Sequence, residues 1–197
     1  MAVYLAEDQV GSDPNLIGFP TLGGCMGIVI VTDTMMYGFH NPPGHNARVP
    51  AFAALYNGQP ARRMLSCCRW DKRYDGAQNI GTTKFQQWVN EIKELAGLMK
   101  YSGPVSGINL SATLTTIDAR DSAYCEYGLS SSGGITVRYS LTSNTAATDR
   151  IDMGTSVRRV GSDMSSSVPY KGKVIDSITS SAFGTSDSKT GVYEFTV

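Results

Sequence analysis

The chain has 197 residues, 41% of them hydrophobic, which fits a single domain with a sizeable core. Its 17 basic and 17 acidic residues balance, which excludes bulk electrostatic attraction to nucleic acid or to anionic membranes. No apolar run approaches the ~20 residues of a membrane-spanning helix. The N-terminal residues lack the basic region and long apolar run of a signal peptide.

The N-terminal part of the chain alternates short strand-like runs with turn-forming residues. Its most regular segment is 26–40, which predicts a β-hairpin, and the two prolines at its end indicate that the segment 40–50 leaves the sheet. The other segments predict, in order, a strand at 3–6, a loop at 7–15, a short helix at 51–58, a strand at 62–70 and a loop at 71–81.

The clearest helix covers residues 83–101. Its apolar residues follow the i, i+3, i+4 spacing of one helical face: Phe85, Trp88, Val89, Ile92, Leu95, Ala96 and Met99. Thr82 or Thr83 can cap its start, and Gly103-Pro104 can stop it. We expect this amphipathic helix to pack on a sheet.

After Pro104 the sequence consists of short β-like runs separated by turns rich in Ser, Thr and Gly. Many strands and one long helix predict an α+β fold, with a β-sandwich or mixed-sheet core and flanking helices. We therefore expect one domain over residues 1–197, acting as a monomer.

The four cysteines show no zinc-site or CxxC spacing, so we expect no zinc site, and the thiol chemistry considered below requires no metal or cofactor. Three of them, Cys67, Cys68 and Cys125, are typical of buried thiols in a reduced protein. The fourth, Cys25, follows a Gly-Gly pair and precedes the predicted hairpin.

Counting the hairpin from a turn at Asp33-Thr34 places Gly27 opposite His40. Because side chains alternate along a strand, Cys25 and His40 then share one face and are diagonal neighbours. Gly27 and Gly38 lie on the same face, where they would leave clearance for a substrate or a crossing backbone. A slip of one residue would separate the cysteine from the histidine.

A cysteine beside an imidazole is a candidate nucleophile, because the imidazole can take the thiol proton. Backbone N–H groups around Gly24 can form an oxyanion hole. A third group should orient the imidazole; the candidates are Thr21, Asn41, Asn15 or a backbone carbonyl. The other reading is that Cys25 and His40 only pack.

The order Leu22-Gly23-Gly24-Cys25, a hairpin and then His40 resembles the cysteine deamidases related to cytotoxic necrotizing factor. Those proteins carry a Leu-x-Gly-Cys motif followed by a histidine on the next strand. Burkholderia lethal factor and the bacterial chemoreceptor deamidases share this order. The resemblance covers about 25 of the 197 residues.

The resemblance implies a β-sandwich with flanking helices and a single deamidase-like catalytic domain. It implies hydrolysis of a glutamine (or asparagine) side-chain amide in a protein substrate, with Cys25 as nucleophile and His40 as base. Several members are bacterial toxins or effectors that modify a host protein, such as a small GTPase or a translation factor. The chain would then act in the bacterial cytoplasm, or in a host cell after export by a signal-independent route.

Several alternatives stay open at this point. Transglutamination would use the same cysteine, and a small cysteine peptidase or amidase also places cysteine before histidine. A non-enzymatic β-rich binding domain would need Cys25 only for packing. His45 is a rival base, and the basic residues Arg62, Arg63, Arg69, Lys72 and Arg73 could either steer an acidic partner or form a solvated face.

Overall fold

The protein is represented by a computed structural model that describes residues 2–44, 46–76, 82–113, 121–143, 157–160, 163–166, 176–179 and 192–197. The strands are β1 (Ala2–Tyr4), β2 (Val10–Asp13), β3 (Leu16–Leu22), β4 (Met26–Val31), β5 (Met36–Asn41), β6 (Arg63–Cys68), β7 (Pro104–Asn109), β8 (Asp121–Leu129), β9 (Ile135–Ser143), β10 (Val157–Val160), β11 (Asp163–Ser166), β12 (Asp176–Thr179) and β13 (Val192–Thr196). The helices are α1 (Val49–Tyr56), α2 (Trp70–Arg73), α3 (Lys84–Met99) and α4 (Leu110–Thr113).

Within these residues the strands form two sheets. The first has the order β10-β11-β1-β3-β8-β9-β12, and the second has the order β13-β7-β6-β4-β5-β2. Both sheets are mixed, because β1 pairs parallel to β3 and β6 pairs parallel to β7. Parallel neighbouring strands need a long crossover connection, and α3 lies in the one that joins β6 to β7. The predicted α+β class is confirmed.

One buried core lies between the two sheets. It combines side chains of the first sheet, such as Phe19 and Tyr127, with side chains of the second, such as Val29 and Leu65. The outer face of the second sheet carries a second core, which includes Ile28 and Phe39 of the hairpin and the helices α1 and α3. The second sheet is therefore covered on both faces, and the hairpin lies inside the molecule.

Helix α3 confirms the predicted amphipathic helix. Thr83 caps its start by accepting a hydrogen bond from the backbone N–H of Gln86. The predicted apolar face is buried from Trp88 to Met99, whereas Phe85 in the first turn stays 37% exposed. The indole Nε1 of Trp88 donates to Ser66 Oγ at 3.0 Å, which anchors the helix on β6.

Two predicted loops contain regular structure. Residues 10–13 of the predicted loop at 7–15 form β2, which pairs with β5 at the edge of the second sheet. Edge strands tolerate the Gly and Asp residues that suggested a loop. The predicted loop at 71–81 begins inside α2. The sequence pattern does not predict β3, because Gly18 and Pro20 interrupt its run of apolar residues. In the described part of the chain, no helix is long and apolar enough to cross a membrane.

Candidate active site

The hairpin has the register that the sequence predicted, and Cys25 precedes its first paired residue. Gly27 pairs with His40, and Met26 pairs with Asn41. Cys25 immediately precedes β4 and lies in the core between the two sheets. The imidazole of His40 faces the same core, where its ring packs edge-on against Phe19 with ring centroids 5.9 Å apart.

A main-chain oxygen orients the imidazole. The Nδ1 atom of His40 lies 2.8 Å from the carbonyl oxygen of Leu5. A carbonyl only accepts, so Nδ1 carries the proton and donates it, and Nε2 keeps its lone pair in the neutral ring. Among the residues that the structure describes, Nε2 has no hydrogen-bond partner. Nε2 is therefore a buried basic nitrogen on the face that Cys25 shares, and it makes no hydrogen bond with the Cys25 sulfur.

The loop between β1 and β2 also fixes the backbone of His40. The N–H of Asp8 donates to the His40 carbonyl at 2.9 Å, and the His40 N–H donates to the Gln9 carbonyl at 3.0 Å. Asp8 has a φ of 66°, in the left-handed region, which turns this loop back toward β5. Side chain and backbone of His40 are thus held by the same short segment, Leu5 to Gln9.

Burial keeps the imidazole neutral. Removal of His40 from water lowers its pKa from 6.5 to about 4. The hydrogen bond to Leu5 opposes this shift, and the positive charge of Arg73 adds to it. At neutral pH the imidazole is therefore an uncharged base.

The thiol of Cys25 is also neutral in this state. The residue is 6% exposed, and its burial raises the thiol pKa from 9.0 to about 12. The carboxylate of Glu7, on the loop that holds His40, adds to this rise, whereas the charge of Arg73 opposes it. The resting site thus contains a neutral thiol and a neutral imidazole.

Gly27 and Gly38 make room for the other sheet and leave no clearance for a substrate. A Cβ atom at Gly27 would lie 2.5 Å from the ring of Phe19, and one at Gly38 would lie 2.8 Å from Ile17 and Leu5. The two sheets approach so closely here that any larger residue would collide. The open patch expected beside the cysteine is therefore filled with apolar side chains.

The structure distinguishes the candidates for the group that orients the imidazole of His40. Leu5 supplies a carbonyl, which is the main-chain alternative among them. Asn41 follows His40 on β5, so its side chain points to the opposite face. Asn15 is exposed in the turn before β3, and Thr21 belongs to β3 but its side chain lies outside the described structure.

The carbonyl of Gly24 is bound by Arg73, which the sequence suggested only as a member of the basic cluster. Nη1 of Arg73 donates to Gly24 O at 2.9 Å and to Asn41 O at 3.0 Å. The Arg73 side chain is 1% exposed and forms an ion pair with Glu91 of α3, to which Tyr74 also donates. Arg73 thus belongs to the interior, and Arg69 is buried as well, so these two residues contradict a fully solvated basic face.

A polar cleft of about 590 Å³ borders this loop. Pro43 connects the two features, because its Cγ lies 3.1 Å from the position of a Cβ at Gly24. The cleft is lined by Pro43, Gly44, Arg73, Tyr74, Thr82, Gln87, Asn90, Glu91 and Glu94. Pro43 therefore lies between this cleft and the loop that precedes Cys25.

The remaining cysteines are free and buried, as predicted. Cys67, Cys68 and Cys125 have 0% exposure, so Cys25 is the most accessible of the four thiols. His45, the rival base, lies outside the described residues. Within the described part of the chain, no three His, Cys, Asp or Glu side chains are grouped so that they could hold a metal ion.

Comparison with models of known protein families gives no match, and comparison with curated proteins gives no significant similarity. The case for a function therefore rests on the geometry of the site and on the Leu-x-Gly-Cys resemblance.

Proposed function

We propose that the protein is a cysteine-dependent glutamine (or asparagine) deamidase that acts on a protein substrate. The observation that carries the proposal is the hydrogen bond between His40 Nδ1 and Leu5 O, which leaves Nε2 as a base on the face of Cys25. A nucleophile, a base and a group orienting the base are the three parts that such chemistry needs. The order Leu22, Gly24, Cys25 and His40 matches the deamidase motif residue by residue.

In the proposed reaction, the Cys25 sulfur attacks the side-chain amide carbon while His40 Nε2 takes the thiol proton. The C–N bond then breaks, and the imidazolium gives its proton to the leaving nitrogen, so that ammonia departs and a thioester remains. His40 next takes a proton from a water molecule, whose oxygen attacks the thioester carbon. The C–S bond then breaks, the imidazolium returns its proton to the Cys25 sulfur, and the amide has become a carboxylic acid.

The transition states carry negative charge on the former amide oxygen. Backbone N–H groups at Gly24 and Cys25 are the proposed donors for this oxyanion. The reaction needs no electron transfer, so we propose no redox cofactor. The substrate class is a folded protein with an exposed amide side chain, and small GTPases and translation factors are the first targets to test.

The test is incubation of the protein with host-cell extract, followed by peptide mass spectrometry for Gln-to-Glu conversion and an assay for ammonia. We expect conversion at a few sites with the native protein and none with Cys25→Ser or His40→Asn. Cys68→Ala, at a buried cysteine on the helix-facing side, is the matched control and should keep the activity. An unchanged amide inventory with the native protein would refute the proposal, whereas amine incorporation would identify a transglutaminase.

The burial of Cys25 favours a second candidate, a non-enzymatic β-rich binding domain. A thiol with 6% exposure and a pKa of about 12 has the properties of a packing residue. Alkylation with a small electrophile separates the two candidates. A nucleophile reacts at Cys25 in the folded protein and loses that reactivity in His40→Asn, whereas a packing thiol reacts only on unfolding. A small cysteine peptidase or amidase is less well supported, since Cys25 precedes a strand and not a helix.

A further inference from the structure

We infer that Arg73 is a positioning residue, which orients the Gly24–Cys25 peptide and ties the cysteine loop to the end of the histidine strand. The inference rests on the proposed function and names a part of the site that the motif does not contain. Arg73 lies in α2, far from Cys25 in sequence. Its single Nη1 atom contacts the carbonyl before Cys25 and the carbonyl after His40, at 2.9 and 3.0 Å.

The contact with Gly24 fixes the direction of an N–H group. The described chain contains no cis peptide bond, and in a trans peptide the C=O and the following N–H point in opposite directions. Because Gly24 O points to Arg73, the N–H of Cys25 points away from it. Arg73 therefore sets the direction of a proposed oxyanion donor. Substitution by a shorter or differently shaped cation would release this peptide plane.

The contact with Asn41 couples the two halves of the site. Met26 pairs with Asn41, so the ladder alone leaves the chain before Met26 without a strand partner. Arg73 joins the two segments beyond the last paired residues, because its Nη1 atom donates to both Gly24 O and Asn41 O. The loop that carries Cys25 is thereby tied to the end of the strand that carries His40.

Arg73 is itself held in place from a third direction. Its Nε donates to Glu91 Oε2 at 2.8 Å, and Tyr74 Oη donates to the same oxygen at 2.7 Å. A buried cation requires such partners, because an unpaired charge in the interior lowers the stability of the fold by roughly several kcal/mol. Glu91 pairs with Nε and Nη2, so the Nη1 donors are left for the carbonyls of Gly24 and Asn41. A planar guanidinium can make all of these bonds at once, and an ammonium cannot.

The charge of Arg73 also acts on both candidate catalytic groups. It lowers the pKa of the Cys25 thiol and contributes to the low pKa of His40. The first effect favours ionisation of the thiol, and the second keeps the imidazole neutral in the resting site. Loss of the cation should therefore raise the pKa of the Cys25 thiol and also change the geometry of the loop.

The experiment compares Arg73→Lys with Arg63→Lys in the full chain. Arg63 forms an ion pair with Glu194 of β13, away from Cys25, so it controls for the general loss of a guanidinium. We expect Arg73→Lys to lower the kcat for amide hydrolysis by about 10- to 100-fold with little change in KM, as for loss of oxyanion orientation. Arg63→Lys should keep the native kcat. Thermal unfolding followed by circular dichroism checks that both variants fold.

Two further readouts separate this inference from the proposed function. In Arg73→Ala, millimolar guanidinium should restore part of the Cys25 alkylation rate, and equal ammonium should not. The pH profile of alkylation should shift to higher pH in Arg73→Ala and stay native in Arg63→Lys. If the native protein hydrolyses no amide but these alkylation results hold, the deamidase proposal fails and the positioning role stands. A native kcat in Arg73→Lys, or an alkylation profile in Arg73→Ala that matches the native one, would overturn the positioning role.

Discussion

The Nδ1 atom of His40 lies 2.8 Å from the carbonyl oxygen of Leu5, so the main chain fixes the tautomer of the imidazole. The hydrogen bond predicts the protonation state of the two ring nitrogens, which nitrogen NMR can measure. At pH 7 the ring of His40 should give one protonated Nδ1 and one unprotonated Nε2, and it should titrate at about pH 4. Comparison with His40→Asn assigns the signals. A protonated Nε2 at neutral pH would contradict the predicted geometry.

The low pKa of His40 predicts a loss of stability in acid. The unfolded chain takes up the histidine proton near pH 6.5, whereas the folded chain does so only near pH 4, so stability decreases as the pH falls through this window. The shift corresponds to about 3 kcal/mol at pH 4 relative to pH 7. Urea unfolding at several pH values measures it. Carboxylates also titrate in this range, so the quantity to compare is the difference between native protein and His40→Gln.

The difference between those two proteins should shrink as the pH falls from 7 to 4, because only the native protein loses the contribution of a neutral buried histidine. A difference that stays constant with pH would mean that His40 titrates normally in the folded protein.

The carboxylate of Glu7 predicts a second pH effect, at the thiol. Glu7 raises the pKa of Cys25 more than Asp8 does. Glu7→Gln should therefore increase the thiolate fraction and accelerate alkylation of Cys25 at pH 8, by about threefold or more. Asp8→Asn is the matched control, because asparagine accepts the left-handed backbone at this position and should give a smaller acceleration. Equal rates in Glu7→Gln and native protein would exclude the carboxylate as a cause.

The sequence predicted the parts of the site that depend on local pattern. Strand alternation and a two-residue turn determine the register, and the pairing of Gly27 with His40 follows from them. The apolar spacing and Thr83 likewise determine where α3 begins and which face is buried. Each of these features is set by neighbours within one hairpin or one helix.

The parts that sequence did not predict depend on contacts between distant segments. Nothing in the residues around Arg73 indicates that its guanidinium lies beside Gly24, because that contact joins segments 49 residues apart in the sequence. The orienting carbonyl of Leu5 is a main-chain atom and leaves no trace in residue type. Gly27 and Gly38 were correctly placed on one face, but only the position of the first sheet shows that its side chains fill the space beside them.

The close approach of the two sheets at Gly27 gives a prediction on stability. A Cβ at this position would lie 2.5 Å from the ring of Phe19 and 2.9 Å from the sulfur of Cys67. Gly27→Ala should therefore destabilise the protein by about 1–3 kcal/mol, since the aromatic ring must move in a packed core. Gly97→Ala is the matched control, because nothing lies within 4 Å of its Cβ and it occupies the interior of α3. That change should stabilise the protein by about 0.5–1 kcal/mol. Urea unfolding of the two variants measures both effects, and a Gly27→Ala protein as stable as the native one would show that the sheets are not in contact there.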